Sequence, residues 1–140
     1  MKFIPFYLIF TLLIFVQACG NKQVEENKTQ REQVIAVHDE VMPKMGQLKS
    51  LEKAALQKAE ELQNSETPDQ AKIDELKNLA SQLNLAYEGM FVWMRQYNTE
   101  DGEKTPEEVK VYLDEQLVLV SKVNEDIKAA LAKAEVLLKD

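Results

Sequence analysis

The chain has 140 residues, 17 basic and 24 acidic, and a formal charge of −7 at pH 7, a size that allows one domain. Such an acidic surface is a poor match for nucleic acid, so we expect no nucleic-acid partner. Only four Gly and four Pro occur, which favours helix and excludes a β-rich fold. One Cys and one His exclude disulfide scaffolds, cysteine-rich zinc sites and haem attachment through CxxCH.

The first 18 residues, MKFIPFYLIFTLLIFVQA, combine an early Lys2 with an apolar run from Phe6 to Val16 and a small residue, Ala18, before Cys19. This layout is typical of a secretory signal peptide. The apolar run is shorter than the roughly 20 residues that a transmembrane helix needs. Removal of residues 1–18 leaves 140 − 18 = 122 residues, with 17 − 1 = 16 basic and 24 acidic side chains, hence a charge of −8.

The residues from Val16 to Cys19 (VQAC) resemble the lipobox of bacterial lipoproteins, although Gln17 is bulkier than the usual residue there. The resemblance implies that the Cys19 thiol is diacylated, that the leader is cut before it, and that the new amine receives a chain such as palmitate. Several acyl chains give a durable membrane anchor, because one chain binds only marginally. Gly20 follows the cysteine, which by resemblance to known sorting behaviour favours the outer membrane. The alternative is a periplasmic protein with a free thiol.

Apolar residues recur every three or four positions in three segments of the mature chain, which predicts three helices with core-facing stripes. The first stripe consists of Val34, Val37, Val41, Leu48, Leu51, Ala55 and Leu62. Breakers near residue 66 and at Asp101–Gly102 predict short turns, and Thr105–Pro106 predicts a helix N-terminus. The predicted fold is all-α: an up-down-up antiparallel three-helix bundle, coiled-coil-like, after the signal peptide. The expected organisation is a leader over 1–18, the lipidated cysteine and a polar tether over 19–28, and the bundle over 29–140.

Antiparallel helices joined near residue 66 place residue i level with about residue 132 − i. The only histidine and all four methionines of the mature chain then gather within about three turns: His38, Met42, Met45, Met90 and Met94. Thioether sulfur and imidazole nitrogen form a soft ligand set that prefers Cu(I). The other interpretation is ordinary core, because Met fills irregular gaps and a buried His is satisfied by hydrogen bonds.

Helix-disfavouring residues fall at the same level of the chain. Pro43 costs about 3 kcal/mol inside a helix, and Gly46 costs about 1 kcal/mol relative to Ala. Gly89 lies at this level on the facing helix, where we expect a close approach of the two backbones. We interpret the segment as a kink that either shapes a ligand pocket or is filled by methionines.

Aromatic residues cluster at this level too. Neighbouring positions on a helix point about 100° apart, so at least one of Phe91, Val92 and Trp93 is expected to be exposed or to meet the third helix. An exposed aromatic side chain, Trp93 or Phe91, would mark a surface for a partner.

The strings HDEVMPKMG (38–46) and YEGMFVWMRQY (87–97) resemble a family of small lipoproteins of Gram-negative bacteria that carry the label "viral A-type inclusion protein". The resemblance covers most of the mature chain. It implies coiled-coil-like helices and an envelope location, and it carries no established chemistry.

These features favour a non-enzymatic, membrane-anchored helical binding or interaction module of the cell envelope, with the membrane and an unidentified protein as partners. The alternative is a Cu(I)-binding lipoprotein that uses the His/Met cluster. A further alternative is b-type haem held between His38 and Met94, for which a three-helix core is narrow. We expect no enzyme, because one His, an acylated Cys and no Gly-rich phosphate loop cannot assemble the usual nucleophile, base and phosphate-binding groups.

Overall fold

The computed structural model describes the backbone of residues 4–139 and the side chains of residues 22–139. The regular elements are α1 (Ile4–Val41), a 3₁₀ turn (Met42–Lys44), α2 (Met45–Gln63), α3 (Gln70–Gln96) and α4 (Pro106–Leu137). The described residues contain no strand, and their helices pack against one another. The predicted all-α class is therefore confirmed.

The leader and the lipobox fall where only the backbone is described. Helix α1 begins at Ile4, but the predicted acylation of Cys19 concerns a side chain outside the described range. In the part of the chain whose side chains are described, residues 22–139, no helix is long and apolar enough to cross a membrane.

Helix α1 continues through the segment that its polar composition suggested as a tether. Asn27 in this segment is buried. Its Nδ2 donates a 2.7 Å hydrogen bond to the Pro106 carbonyl, and its Oδ1 accepts one of 2.9 Å from Gln23. The Gln, Glu and Lys residues around it are good helix formers, and a buried amide with partners holds the helix against α4. The packed helical region thus begins before residue 29.

Pro43 interrupts the first predicted helix. Because Pro43 has no N–H, it cannot bond the Asp39 carbonyl, and the chain makes a short 3₁₀ turn before it resumes as α2 at Met45. The packing partner changes across this turn: α1 packs mainly along α4, whereas α2 packs mainly along α3.

The loops follow from identifiable local signals. Asp69 precedes α3 and accepts a 3.1 Å hydrogen bond from the Lys72 backbone N–H. Thr105 and Glu108 form a reciprocal capping box at the start of α4, which satisfies N–H groups that a helix N-terminus leaves unpaired. Gly102 has φ +62°, a conformation that glycine adopts without steric cost. The predicted turns and the predicted start of the last helix are confirmed.

The core is aliphatic over most of its length. Its largest fully buried side chains are Leu48, Ile73, Leu76, Leu79, Leu83, Met90, Leu113, Ile127, Val34, Val41 and Val120. Burying one such side chain contributes about 1.5–3 kcal/mol. This packing fixes the register between α2 and α3. Lys49 Nζ on α2 donates to Asn84 Oδ1 on α3 at 3.1 Å. The predicted pairing of residue i with about residue 132 − i places Lys49 level with residue 83, one position away.

Candidate functional site

His38, in the last turn of α1, contacts Met94 near the end of α3. Its Nε2 atom lies 3.3 Å from the Met94 sulfur, and its Nδ1 atom lies 2.8 Å from Asp39 Oδ1. The His38 side chain is 18% exposed, so the contact is mostly sheltered from water but reachable. The structure therefore joins one predicted pair of ligands directly and adds a carboxylate that the sequence analysis did not assign to the site.

The protonation pattern of this contact is constrained by Asp39. An ionised carboxylate only accepts hydrogen bonds, and a charge-assisted bond to it is the stronger of the two that the ring makes. The His38 proton therefore belongs on Nδ1. In the neutral ring, Nε2 then presents a lone pair to the thioether of Met94, which has no proton to give.

The other methionines are divided between core and rim. Met90 is fully buried and Met45 is 6% exposed, and both belong to the main hydrophobic core. Met42, on the 3₁₀ turn, is half-buried and packs against the same core. Of the predicted cluster, His38 and Met94 are the pair in direct polar contact.

Trp93 forms the inner wall of the site. Its ring lies 5.6 Å from that of His38 and is stacked at 4.8 Å on Tyr97, which is followed by Tyr112 at 6.2 Å. These centroid distances are those of favourable aromatic pairs. A continuous row of four rings therefore runs from His38 across α3 to α4.

The aromatic partner surface predicted at Trp93 is not present. Trp93 is 4% exposed, because its side of α3 faces His38 and Tyr97. Phe91 is half-buried against Tyr87, at a centroid distance of 4.9 Å. The exposed residue of this stretch is Val92, at 42%.

Arg31 closes the outer end of the ring row. Its guanidinium donates to Tyr97 Oη at 3.4 Å and to the Asn98 carbonyl at 3.3 Å, and it pairs with Asp101. The Asn98 N–H also donates a 2.6 Å hydrogen bond to Tyr112 Oη. These contacts tie α1, the α3–α4 loop and α4 together. The sequence gives no sign of them, because long-range polar pairs leave no periodicity.

Asn124 links α4 to the end of α1. Its side chain is buried, and its Nδ2 donates to the Val37 carbonyl at 2.8 Å and to Glu40 at 2.9 Å. Lys128 donates to the other Glu40 oxygen at 2.6 Å. The hydrogen bonds from Lys128 and then Asn124 lower the pKa of the Glu40 carboxyl. One signal in the sequence could have indicated this contact: Asn124 is a polar residue at a core position of the apolar stripe of α4.

The close backbone approach expected at Gly89 is also absent. A Cβ atom placed on Gly89 or on Gly46 would meet nothing within 4 Å. Gly89 instead lines a groove of 430 Å³ between α3 and α4, whose other lining residues are Gln82, Leu85, Ala86, Val123, Asp126, Ala129, Ala130 and Lys133.

The alternative of b-type haem names the same two side chains, whose Nε2 and sulfur atoms are 3.3 Å apart and in direct contact in this structure.

No protein-family model matches the chain, and no curated protein or solved structure is significantly similar to it. Within residues 22–139, no three His, Cys, Asp or Glu side chains converge as metal ligands.

Proposed function

We propose that this chain is an outer-membrane lipoprotein of the cell envelope, anchored through acylated Cys19, whose helical domain is a non-enzymatic interaction module. The observation that carries the anchor is VQAC (Val16–Cys19) directly after a short apolar leader. A multiply acylated cysteine needs no membrane-spanning helix to remain attached.

The helices of this domain are arranged up-down-up. Two contacts support a parallel course of α1 and α4, because Val37 meets Asn124 and, three residues later, Glu40 meets Lys128. The contacts of α3 with α1 and α2 support the opposite direction for α3. His38 on α1 meets Met94, and Lys49, which follows His38 in the chain, meets Asn84, which precedes Met94.

The interaction surface that we propose is the α3–α4 groove. Its floor is made of small side chains, with Ala86 and Ala130 each 6% exposed, and its rim carries Leu85, 66% exposed. The spacing between packed helices depends on the side chains at their contact, so a floor of alanine and glycine admits a further helix. Apolar side chains concentrated around one concavity are typical of an interaction site.

The occupant that we propose is α4 of a second copy, antiparallel to the first. In a two-fold dimer each contact occurs twice, with the roles of its residues exchanged. The α4 residues that line the groove form a nearly palindromic set when the next residue of the same face, Val136, is added: Val123, Asp126, Ala129, Ala130, Lys133 and Val136. With the axis between the two alanines, Asp126 meets Lys133 of the other copy, and half-buried Val123 meets Val136, which is 71% exposed.

The anchor is tested by metabolic labelling with a fatty acid in the native type of host. We expect the wild-type chain to be labelled and to remain with membranes after a high-salt wash. Cys19→Ser should lose the label. Equal labelling of both proteins would contradict the anchor.

The dimer is tested by disulfide trapping in membranes. Ala129→Cys places a thiol beside the proposed axis, where bridged residues must bring their Cα atoms within about 7 Å, and we expect a crosslinked dimer. Ala54→Cys, equally small and exposed on α2, is the matched control and should stay monomeric.

Charge reversal identifies the pairing. In the Ala129→Cys background, Asp126→Lys or Lys133→Asp alone should reduce trapping, because like charges then face each other. The two reversals together should restore it. The dimer is refuted if neither single reversal reduces crosslinking, or if Ala54→Cys is crosslinked as efficiently as Ala129→Cys. Neither result would affect the proposed anchor.

A further inference from the structure

The contact between His38 and Met94 points to a function beyond anchoring and interaction. We propose that His38 Nε2 and Met94 Sδ are the two protein donors of a Cu(I) site, with Asp39 orienting the imidazole. The proposal rests on this contact alone and is independent of lipidation and of the dimer.

The donor atoms already have a spacing suited to one ion. With metal–nitrogen and metal–sulfur bonds of about 2.0 and 2.3 Å and a tetrahedral angle, two donors lie about 3.5 Å apart. Nε2 and the sulfur are 3.3 Å apart. Small rotations of two side chains, of which Met is the more flexible, would open the contact enough to admit the ion.

The choice of metal follows from the donors. A thioether is a soft, neutral ligand that favours Cu(I), and an imidazole binds copper readily, whereas Zn(II) and the hard cations favour other sets. With Nδ1 held by Asp39, the imidazole presents Nε2 to the ion, and Cu(I) binds there without a change of oxidation state.

Asp39 and Trp93 complete the arrangement. A ligating histidine commonly donates its other N–H to a carboxylate, which fixes the ring and strengthens the donor, and Asp39 occupies that position at 2.8 Å. Trp93 packs against the His38 ring at 5.6 Å and keeps water from its inner face. The 18% exposure of His38 leaves an outer side for entry of the ion.

The test is competition between the full chain, purified in detergent, and a chromophoric Cu(I) chelator under reducing conditions. We expect one Cu(I) per chain, removed by His38→Asn or Met94→Leu with an affinity loss of at least about 100-fold. Asp39→Asn should lose about 10-fold, in the range found for residues that orient a ligand. Zn(II) should not compete.

Met90→Leu is the matched control, because it is the same substitution one turn earlier on α3, at a fully buried position. Its affinity should stay within about threefold of the wild type, and helical circular dichroism of every variant should show that folding is intact. The methyl NMR signal of Met94, and not that of Met90, should shift when the redox-inert soft ion Ag(I) is added. If no Cu(I) is retained, or if Met90→Leu loses as much affinity as Met94→Leu, the proposal is refuted.

Discussion

The two ends of the helical domain are held together by different means. The α2–α3 end is packed by aliphatic side chains, among them Ala59, Ile73 and Leu76. The end that contains His38 is joined by rings, amides and ion pairs: the His38–Trp93–Tyr97–Tyr112 row, Arg31 and Asn124. Apolar burial is non-directional, whereas hydrogen bonds and ring contacts depend on angle and distance. Apolar burial therefore contributes stability along the whole domain, including Val34, Val41 and Val120 near His38, and the directional contacts at the second end also fix its geometry.

The largest effect should follow from loss of volume at the aliphatic end. Leu76→Ala removes a fully buried side chain and should lower the free energy of unfolding by about 2–5 kcal/mol, measured by urea denaturation. Leu76→Met keeps the volume and should cost less than about 1.5 kcal/mol. Leu56→Ala, at a position 47% exposed, is the control and should stay within about 0.5 kcal/mol of wild type. Equal losses of unfolding free energy for Leu76→Ala and Leu56→Ala would show that burial of aliphatic side chains does not stabilise this end.

A change that keeps the branched outline of a side chain should nevertheless destabilise the other end. Asn124→Leu keeps that outline, with a larger volume, but removes the donor to Val37 and Glu40, and we expect a loss of about 1–3 kcal/mol. Asn78→Leu, on the exposed side of α3, should change stability by less than about 0.5 kcal/mol. If Asn124→Leu proves stabilising, apolar packing governs both ends alike.

The smallest effect should come from Glu40 and should depend on pH. Because Lys128 and Asn124 lower its pKa from the ordinary value of 4.5, Glu40 stabilises the fold above pH 4.5, and this contribution declines as the pH falls below that value and through the lowered pKa. The melting temperature of Glu40→Gln should lie slightly below that of wild type at pH 7. The gap should close in acid, and a gap that widens there would contradict the assignment.

Sequence periodicity was sufficient for the elements and for most of the core. Val34, Val41, Leu48 and Ala55 were placed on one stripe, and all four are buried. Short-range signals, such as Asp101–Gly102 and the Thr105 cap, located the loops, because turn and cap preferences are local properties of the chain.

The remainder depends on rotation and long-range contact, which periodicity does not fix. Trp93 was a candidate for exposure, yet the rotation of α3 turns it inward and leaves Val92 outside. Asn27 lies in a polar stretch whose composition is typical of a tether. Its side chain nevertheless donates a hydrogen bond to the carbonyl of Pro106, 79 positions away. The His38–Met94 register was predictable from the hairpin, but the carboxylate of Asp39 on the second ring nitrogen was not.

The 3₁₀ turn at Met42–Lys44 divides the first helix into parts with different neighbours. Local opening of a protein follows units that are packed together. Because Pro43 breaks the hydrogen-bond ladder between α1 and α2, the end of α1 can detach from α4 while α2 stays on α3. Amide hydrogens of residues 34–41 should then exchange with deuterium faster than those of 48–59. Each such opening would separate His38 from Met94 and bring the Met94 sulfur into contact with solvent.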